Sequence, residues 1–206
     1  MIPNGSDLPS IEAGAAKTQD DPLILSVGRL EKYKGHHRAI AALPALLEQE
    51  PGARLVVLGS GPYRSQLESL ASRLKVSERV EIRSLPAADR LGMARLMSRA
   101  SLVTLLSEYE SQGIAALEAM ALRRPVLVAG TSALRELTAV GDVGTVPLDT
   151  PPAALAAAML REMRRAQPSG PLKAALPRWD DCARGLLQVY SEAAPLTGRL
   201  SSSDRP

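Results

Sequence analysis

The apolar positions of this chain fall into two kinds of segment that alternate. Short runs made largely of Leu, Val, Ile and Ala predict buried β-strands at residues 23–27, 54–58, 80–83, 102–106, 125–128 and 143–146. Between them, apolar residues recur with the three-to-four-residue spacing of helices at 36–47, 64–74, 89–100, 114–122, 153–165 and 180–193, with a weak helical turn at 134–138. Pro44 predicts a bend or a break in the first helix. The alternation indicates an α/β fold with a single Rossmann-like, doubly wound parallel sheet and helices on both faces.

Composition divides the chain into three parts. Residues 1–21 are polar and rich in Pro, Gly, Ser and Asp, which predicts a linker-like, extended arm. Residues 22–178 hold the alternating elements and form the predicted domain, with a break in helical pattern at 169–177. Residues 179–206 are predicted to form a closing helix and a flexible tail.

The most informative segment is residues 107–121, because it carries two carboxylates around a predicted strand-to-helix turn. Glu110 sits at the turn, where unpaired backbone N–H groups favour anions. Glu118 interrupts an otherwise apolar helix, where a carboxylate is costly to bury unless something donates to it. The segment thus offers two carboxylates that can accept hydrogen bonds from hydroxyl groups, beside a helix start that can hold phosphate. This combination fits a sugar nucleotide.

Two further loops lie at the carboxyl ends of predicted strands, where parallel sheets bind ligands. In the loop from Gly28 to Gly35, Arg29 and Lys34 can converge on one anion, although a solvated basic loop fits equally well. The turn Gly59-Ser60-Gly61-Pro62 is half of a dinucleotide-binding pattern, but Arg64 stands where the third Gly would be. We therefore predict a tight turn before a helix there, not a dinucleotide site.

Composition and charge exclude several classes of function. The chain has 206 residues, 45% of them apolar, which is enough for a packed core. Only 2% are aromatic and the net charge is +3, so neither stacking platforms nor charge indicate nucleic-acid binding. With Cys182 alone and His36 and His37 adjacent, we expect neither an internal disulfide nor a bound metal or other cofactor. Without a secretory signal or an apolar span, a cytoplasmic location is expected, with peripheral membrane association left open.

Several other residues are expected to be structural. His36 and His37 begin a predicted helix, so we expect them to be exposed and without a chemical role. Cys182 is expected to be a small apolar filler. The methionines at helical positions are expected in the core: Met93, Met97, Met120 and Met159.

Five motifs in order give the chain a family resemblance. An "IPNGVD"-like interdomain segment is found at Met1 to Asp7, and a "GRL…KG"-like loop at Val27-Gly28-Arg29-Leu30 with Lys34-Gly35. A "GxGP"-like turn follows at Leu58 to Pro62. An E-x7-E motif fits Glu110 and Glu118, and a closing "W…Y" resembles Trp179 and Tyr190. Together they resemble the donor-binding, C-terminal half of retaining glycosyltransferases of the GT-B fold, in family four. The resemblance covers nearly the whole chain.

The resemblance implies roles for particular residues. Arg29 and Lys34 would hold the donor diphosphate and stabilise the leaving group, Glu110 would contact sugar hydroxyls, and Glu118 would bind the ribose. The nucleotide base would lie near the loop after strand 80–83. The predicted catalytic residues are Arg29, Lys34 and Glu110; the predicted donor-binding residues are Gly28, Arg29, Lys34, Glu110, Gln112, Gly113, Ile114 and Glu118. The reaction would retain the anomeric configuration without a metal, because the two cations supply the electrostatic stabilisation.

The chain also departs from the family pattern. Ser111-Gln112-Gly113 replaces the usual Gly-Phe-Gly, and the usual Gly-Gly pair after the next strand is replaced around Ser132-Ala133. Family members carry an N-terminal half with the acceptor site, so an N-terminal domain or subunit is an expected partner. The chain would then be an excised domain, a truncated protein or half of a split enzyme.

Three functions therefore stand in order. The first is the donor-binding half of a glycosyltransferase, and the second is a non-catalytic nucleotide-sugar-binding or protein-interaction module derived from one. The third, a sugar-nucleotide epimerase, is disfavoured by the E-x7-E segment. An uncovered closing helix carrying Trp179 and Tyr190 would favour self-association. The sugar, the base and the acceptor stay open.

Overall fold

A computed structural model describes residues 2–6, 8–9, 21–165 and 175–193. The strands are β1 (Leu23–Val27), β2 (Arg54–Leu58), β3 (Val80–Arg83), β4 (Leu102–Leu105), β5 (Val126–Ala129) and β6 (Gly144–Val146). The helices are α1 (His36–Leu47), α2 (Arg64–Arg73), α3 (Arg90–Ser98), α4 (Ile114–Ala121), α5 (Leu137–Val140), α6 (Pro152–Arg164) and α7 (Trp179–Ala193). The predicted tail, most of the predicted arm and most of the predicted break at 169–177 lie outside the described residues.

The six strands form one parallel sheet in the order β3-β2-β1-β4-β5-β6. In this order β1 and β4 are neighbours, although β2, β3 and helices α1 to α3 lie between them along the chain. From that central pair the sheet grows outward in both directions, so the connecting helices cover both faces. This confirms the predicted doubly wound α/β fold.

Two apolar cores explain why the strands read as continuous apolar runs. Adjacent residues in a strand point to opposite faces, so Ile24 packs in one core and Leu25 in the other, both fully buried. Residues of α1, α2 and α6 fill the first core, and residues of α3, α4 and α5 fill the second. Buried strands of this kind need no polar face.

Some local predictions are wrong in instructive ways. Helix α1 runs without a break from His36 to Leu47 through Pro44, so the predicted break is absent, while a bend at Pro44 stays a prediction. Buried Leu43 and Leu46 anchor its last turn against the sheet, which offsets the backbone hydrogen bond that a proline lacks. Cys182 is half-buried on α7, a helix without buried residues, so it is not a core filler.

The methionines behave as predicted. Met97, Met120 and Met159 are buried in the two cores, and half-buried Met93 packs against one of them. The weak helical turn predicted at 134–138 is a short 3-10 turn, Ser132–Glu136, that continues into α5.

Helix α7 presents large apolar side chains to solvent. The exposed ones are Trp179, Leu186, Leu187, Val189 and Tyr190. The part of the predicted arm nearest to it, residues 2–6, lies against its start: the Ser6 N–H donates to the Pro177 carbonyl at 2.9 Å. Self-association through this helix stays a prediction. No helix among the described residues combines the length and apolarity needed to cross a membrane.

Candidate functional site

The candidate site lies where the loops after β1 and β4 leave neighbouring strands. These strands pair in parallel, with Ile24 opposite Leu102, so both loops emerge at the same edge of the sheet. It is also the point where the winding reverses direction, which is the usual place of a ligand crevice in doubly wound folds. The loop after β1 carries Arg29 and Lys34, and the loop after β4 carries Glu110.

The structure joins Lys34 of the first loop to Glu110 of the second. The Lys34 Nζ donates to Glu110 Oε2 at 2.7 Å, with only 15% and 16% of the two side chains exposed. The Ser107 hydroxyl donates to the same oxygen at 3.2 Å, and the Glu110 N–H donates to Ser132 Oγ at 2.8 Å. The carboxylate is therefore held in a fixed orientation, and an ammonium group is held beside it.

Arg29 is placed differently from Lys34. Its side chain is 74% exposed, and Nη2 donates to Glu31 Oε1 at 3.2 Å. A surface pair of this kind contributes little to stability and exchanges easily with another anion. That Arg29 and Lys34 converge on one anion stays a prediction.

The Gly59-Ser60-Gly61-Pro62 turn supports the first loop. The Leu30 N–H donates to the Ser60 carbonyl and the Tyr63 N–H donates to the Leu30 carbonyl, both at 2.9 Å. A Cβ added at Gly59 would overlap the Gly28 carbonyl oxygen, so the two backbones lie closer than any other residue allows. The predicted tight turn before α2 is present, and its contacts show a second role that sequence reasoning missed.

Glu118 is buried on α4, with 4% exposed. Its Oε1 accepts from Arg90 Nη2 at 2.6 Å, and Arg90 is the first residue of α3. The sequence predicted that some group donates a hydrogen bond to this carboxylate. It did not identify Arg90 as that donor, because Arg90 lies 28 positions away, outside the local pattern. The role of Glu118 at a ribose stays a prediction.

Helix α4 begins beside Glu110. Gly113 is its N-terminal cap, with a left-handed φ of 73°, and a Cβ there would lie 2.8 Å from Leu134 Cδ2. The N–H groups of a first helical turn have no acceptors within the helix and favour an anion. The predicted donor-binding residues Gly113 and Ile114 therefore stand where backbone donors point out of the helix end.

Gln112 is engaged with the N-terminal segment. Its Oε1 accepts from the Asn4 N–H at 2.8 Å, and its Nε2 donates to the Asn4 carbonyl at 2.7 Å. Both amide atoms thus bond to one backbone residue, an arrangement that the family's usual Phe cannot make. A donor contact by Gln112 stays a prediction.

The expectation for His36 is wrong, because the side chain is 1% exposed. Its Nδ1 lies 2.8 Å from Ser26 Oγ, and its Nε2 lies 3.1 Å from the Arg29 carbonyl oxygen. Burial is the main cause that lowers the pKa of His36 below its usual value. Burial also lowers the pKa of His37, with the Arg38 charge adding to the effect.

These shifts predict that the protein loses stability as the pH falls. A lowered pKa means that the folded state resists protonation while the unfolded chain accepts a proton near pH 6.5, the usual histidine value. The stabilising contribution is complete above that pH and declines as the pH falls through it towards the folded value. Melting curves between about pH 7.5 and pH 5 should show this decline, and His36→Gln should reduce its slope. Melting temperatures that decline equally with pH in the wild type and in His36→Gln would contradict the assignment of this effect to His36.

Within the described residues, no cluster of three or more His, Cys, Asp or Glu side chains could hold a metal ion. The absence of a metal requirement stays an expectation.

The fold and this edge together define a Rossmann-type α/β domain with charged side chains grouped at the β1–β4 switch point. The family model described as "Glycosyl transferases group 1" matches residues 9–166. A D-inositol 3-phosphate glycosyltransferase of Xylanimonas cellulosilytica is 36% identical over 84% of this chain. The chain belongs to the glycosyl transferases group 1 family, which confirms the resemblance drawn from its motifs.

Solved structures show the same fold. Sucrose-phosphate synthase from Thermosynechococcus elongatus superposes with a TM-score of 0.73 and 24% identity, covering 95% of this chain and 52% of that enzyme. HepE of Anabaena, in complex with UDP and glucose, superposes with a TM-score of 0.64 and 20% identity, covering 86% and 49%. The chain spans 43% of the length of the Xylanimonas relative and about half of each of these structures.

Proposed function

We propose that this chain is the donor-binding domain of a retaining glycosyltransferase, and that it binds a nucleoside diphosphate sugar in the crevice between β1 and β4. The observation that carries the proposal is the Lys34–Glu110 pair, held at 2.7 Å by loops from the two central strands. A half-buried ammonium beside a half-buried carboxylate can hold an anionic group and a hydroxyl-bearing group next to each other. A sugar diphosphate has both.

The nucleotide part of the donor would extend towards Glu118 and α3. Arg90 bonds to the buried Glu118 and orients it, and such a carboxylate can accept bonds from vicinal hydroxyls like those of a ribose. The base would lie beyond it, near the loop that follows β3. That HepE was solved with UDP and glucose supports this class of ligand.

Catalysis would rest on the charge that develops when the sugar departs. As the bond between the anomeric carbon and the diphosphate oxygen breaks, the electron pair passes to the diphosphate. Lys34, the solvent-facing Arg29 and the N–H groups at the start of α4 would stabilise that charge. Glu110 would orient the sugar while an acceptor hydroxyl attacks from the face that the diphosphate leaves, which retains the configuration. The hydroxyl proton would pass to the departing diphosphate oxygen.

The acceptor would be held by an N-terminal domain or subunit. Among the described residues, the proposed donor site accounts for Arg29, Lys34 and Glu110 at the β1–β4 edge and leaves none of them for the acceptor, while the Xylanimonas relative has a further stretch about as long as this chain. The alternative function is a non-catalytic module that binds a nucleotide sugar or a protein. The experiment below separates a nucleotide-binding domain from a module that binds only a protein.

The test is calorimetric titration of the chain with UDP, GDP and ADP. We expect saturable binding of one of them, about 10- to 100-fold weaker in Glu118→Ala and in Arg29→Ala, since each change removes a charged partner of the ligand. Glu50→Ala is the matched control, because Glu50 pairs with Arg164 on the surface, away from the crevice. Equal affinity in all four proteins would contradict the proposed site, and no binding by the wild-type protein would favour the interaction module.

A further inference from the structure

The loop that carries Arg29 and Lys34 has a buried support that the function described so far does not use. His36 is the first residue of α1, so it follows directly after the loop that begins at Gly28. Its ring folds back beneath the start of the same loop: a Cβ added at Gly28 would lie 3.7 Å from the ring atoms Cε1 and Nε2. The imidazole thus connects the end of the loop to its beginning.

The hydrogen bonds of the ring fix its tautomer. A carbonyl oxygen only accepts, so the Nε2 that lies 3.1 Å from the Arg29 carbonyl carries the proton and donates. The neutral ring then accepts at Nδ1 from the Ser26 hydroxyl, at 2.8 Å. Ser26 belongs to β1, so the chain of bonds runs from the rigid sheet through the imidazole to the backbone of Arg29.

On its other side the same stretch of backbone is held by the Gly59 turn. The Leu30 N–H and carbonyl bond to Ser60 and Tyr63, and the Arg29 carbonyl bonds to His36. The Arg29 side chain is exposed to solvent, but its backbone is held from two directions. A loop fixed in this way loses less conformational freedom when it closes on an anion.

We propose that His36 is a positioning residue, which holds the Arg29 backbone through Nε2 and so prepares the loop with Arg29 and Lys34 for the donor diphosphate. This inference rests on the proposed function, because it assigns the ligand of that loop. His36 touches neither the donor nor the reacting atoms, and its contribution is to the affinity and to the order of the loop.

The two nitrogens of the ring allow a matched pair of variants. In His36→Gln the side-chain amide nitrogen can reach the position of Nε2 and still donate to the Arg29 carbonyl. In His36→Asn the shorter amide reaches the position of Nδ1, so the bond to Ser26 survives and the bond to Arg29 is lost. Both variants remove the ring from the same buried place, so their melting temperatures should fall by similar amounts. His37→Gln is the control at the neighbouring histidine.

The readout is the affinity for whichever of UDP, GDP and ADP the wild-type protein binds. We expect His36→Asn to bind about 10-fold more weakly than the wild type and His36→Gln to lose no more than about 3-fold, as the loss or retention of one neutral hydrogen bond predicts. Equal losses in the two variants would show that the ring acts only through stability, and would overturn the inference.

Hydrogen exchange of the unliganded proteins keeps this test separate from that of the proposed function. If the wild-type chain binds none of the three nucleotides, the proposed function fails for this chain, while the support of the loop is still measurable. The amides of Leu30, Lys34 and Gly35 are hydrogen-bonded within or next to the loop, and they should exchange faster in His36→Asn than in His36→Gln. Identical exchange in both variants would overturn the positioning role.

Discussion

Replacing Lys34 by alanine is expected to weaken binding of the nucleoside diphosphate about 100-fold and to remove transfer activity from any assembly that contains this domain. The change deletes the ammonium that bonds to Glu110 at 2.7 Å. It also leaves the Glu110 carboxylate, which is largely buried, without this cation and facing the negative charge of the ligand. The lost attraction and the added repulsion both weaken binding of the nucleoside diphosphate.

The control for this prediction is Lys32→Ala. Lys32 lies in the same loop, carries the same charge and is exposed, so its removal changes the net charge equally without touching the crevice. Titration calorimetry of both variants measures the difference. The double variant Lys34→Ala/Glu110→Gln should recover part of the lost nucleotide affinity because it removes the repulsion. Similar losses for Lys32→Ala and Lys34→Ala would mean that only the general charge of the loop matters.

Replacing Gly59 by alanine is expected to destabilise the fold by about 3 kcal/mol or more, a fall of roughly 10 °C in melting temperature. The added Cβ would overlap the carbonyl oxygen of Gly28, and that neighbour is backbone, which cannot turn aside as a side chain can. The first loop would have to move away from the turn, so the bonds that join Leu30 to Ser60 and Tyr63 would lengthen or break. Nucleotide affinity should fall with stability, since the displaced loop carries Arg29 and Lys34.

Gly130→Ala supplies the matched control. Gly130 also lies in a loop at the carboxyl edge of the sheet, but a Cβ there meets nothing closer than the Val146 carbonyl oxygen at 3.6 Å, which is ordinary contact. Thermal and denaturant unfolding of the two variants should therefore differ clearly. A Gly59→Ala protein as stable as Gly130→Ala would show that the two loops do not need their close approach.

Gly59 also shows why the sequence predicts the tight turn but not its contact with the loop after β1. The spacing of its glycines predicts a tight turn, because a sharp reversal depends on residues that are near in sequence. The need for glycine at this position comes from Gly28, which belongs to another strand-to-helix connection. The sequence contains no signal for that approach, since it depends on β1 and β2 lying side by side with both connections at one edge.

The prediction that His36 is exposed is wrong for a related reason. Its position at a helix start predicts exposure, because the first turn of a helix usually faces the end of the sheet and solvent. Here the loop before α1 passes over the ring and buries it, with Ser26 below and the Arg29 carbonyl beside it. Ser26 lies ten residues before His36, in an apolar strand where a hydroxyl had no predicted partner.

The sequence by itself determined the succession of strands and helices, the parallel sheet and the family. Each of these follows from periodicity and motif spacing within short segments, or from the buried character of strands covered on both faces. It also placed Arg29, Lys34, Glu110 and Glu118 on the loops and the helix where they are found. The tertiary structure alone decided which of these charges meet. Lys34 and Glu110 stand 76 positions apart, and Glu118 and Arg90 stand 28 apart. Side-chain partners at such separations are fixed by strand order and helix packing, not by any local pattern that a sequence can show.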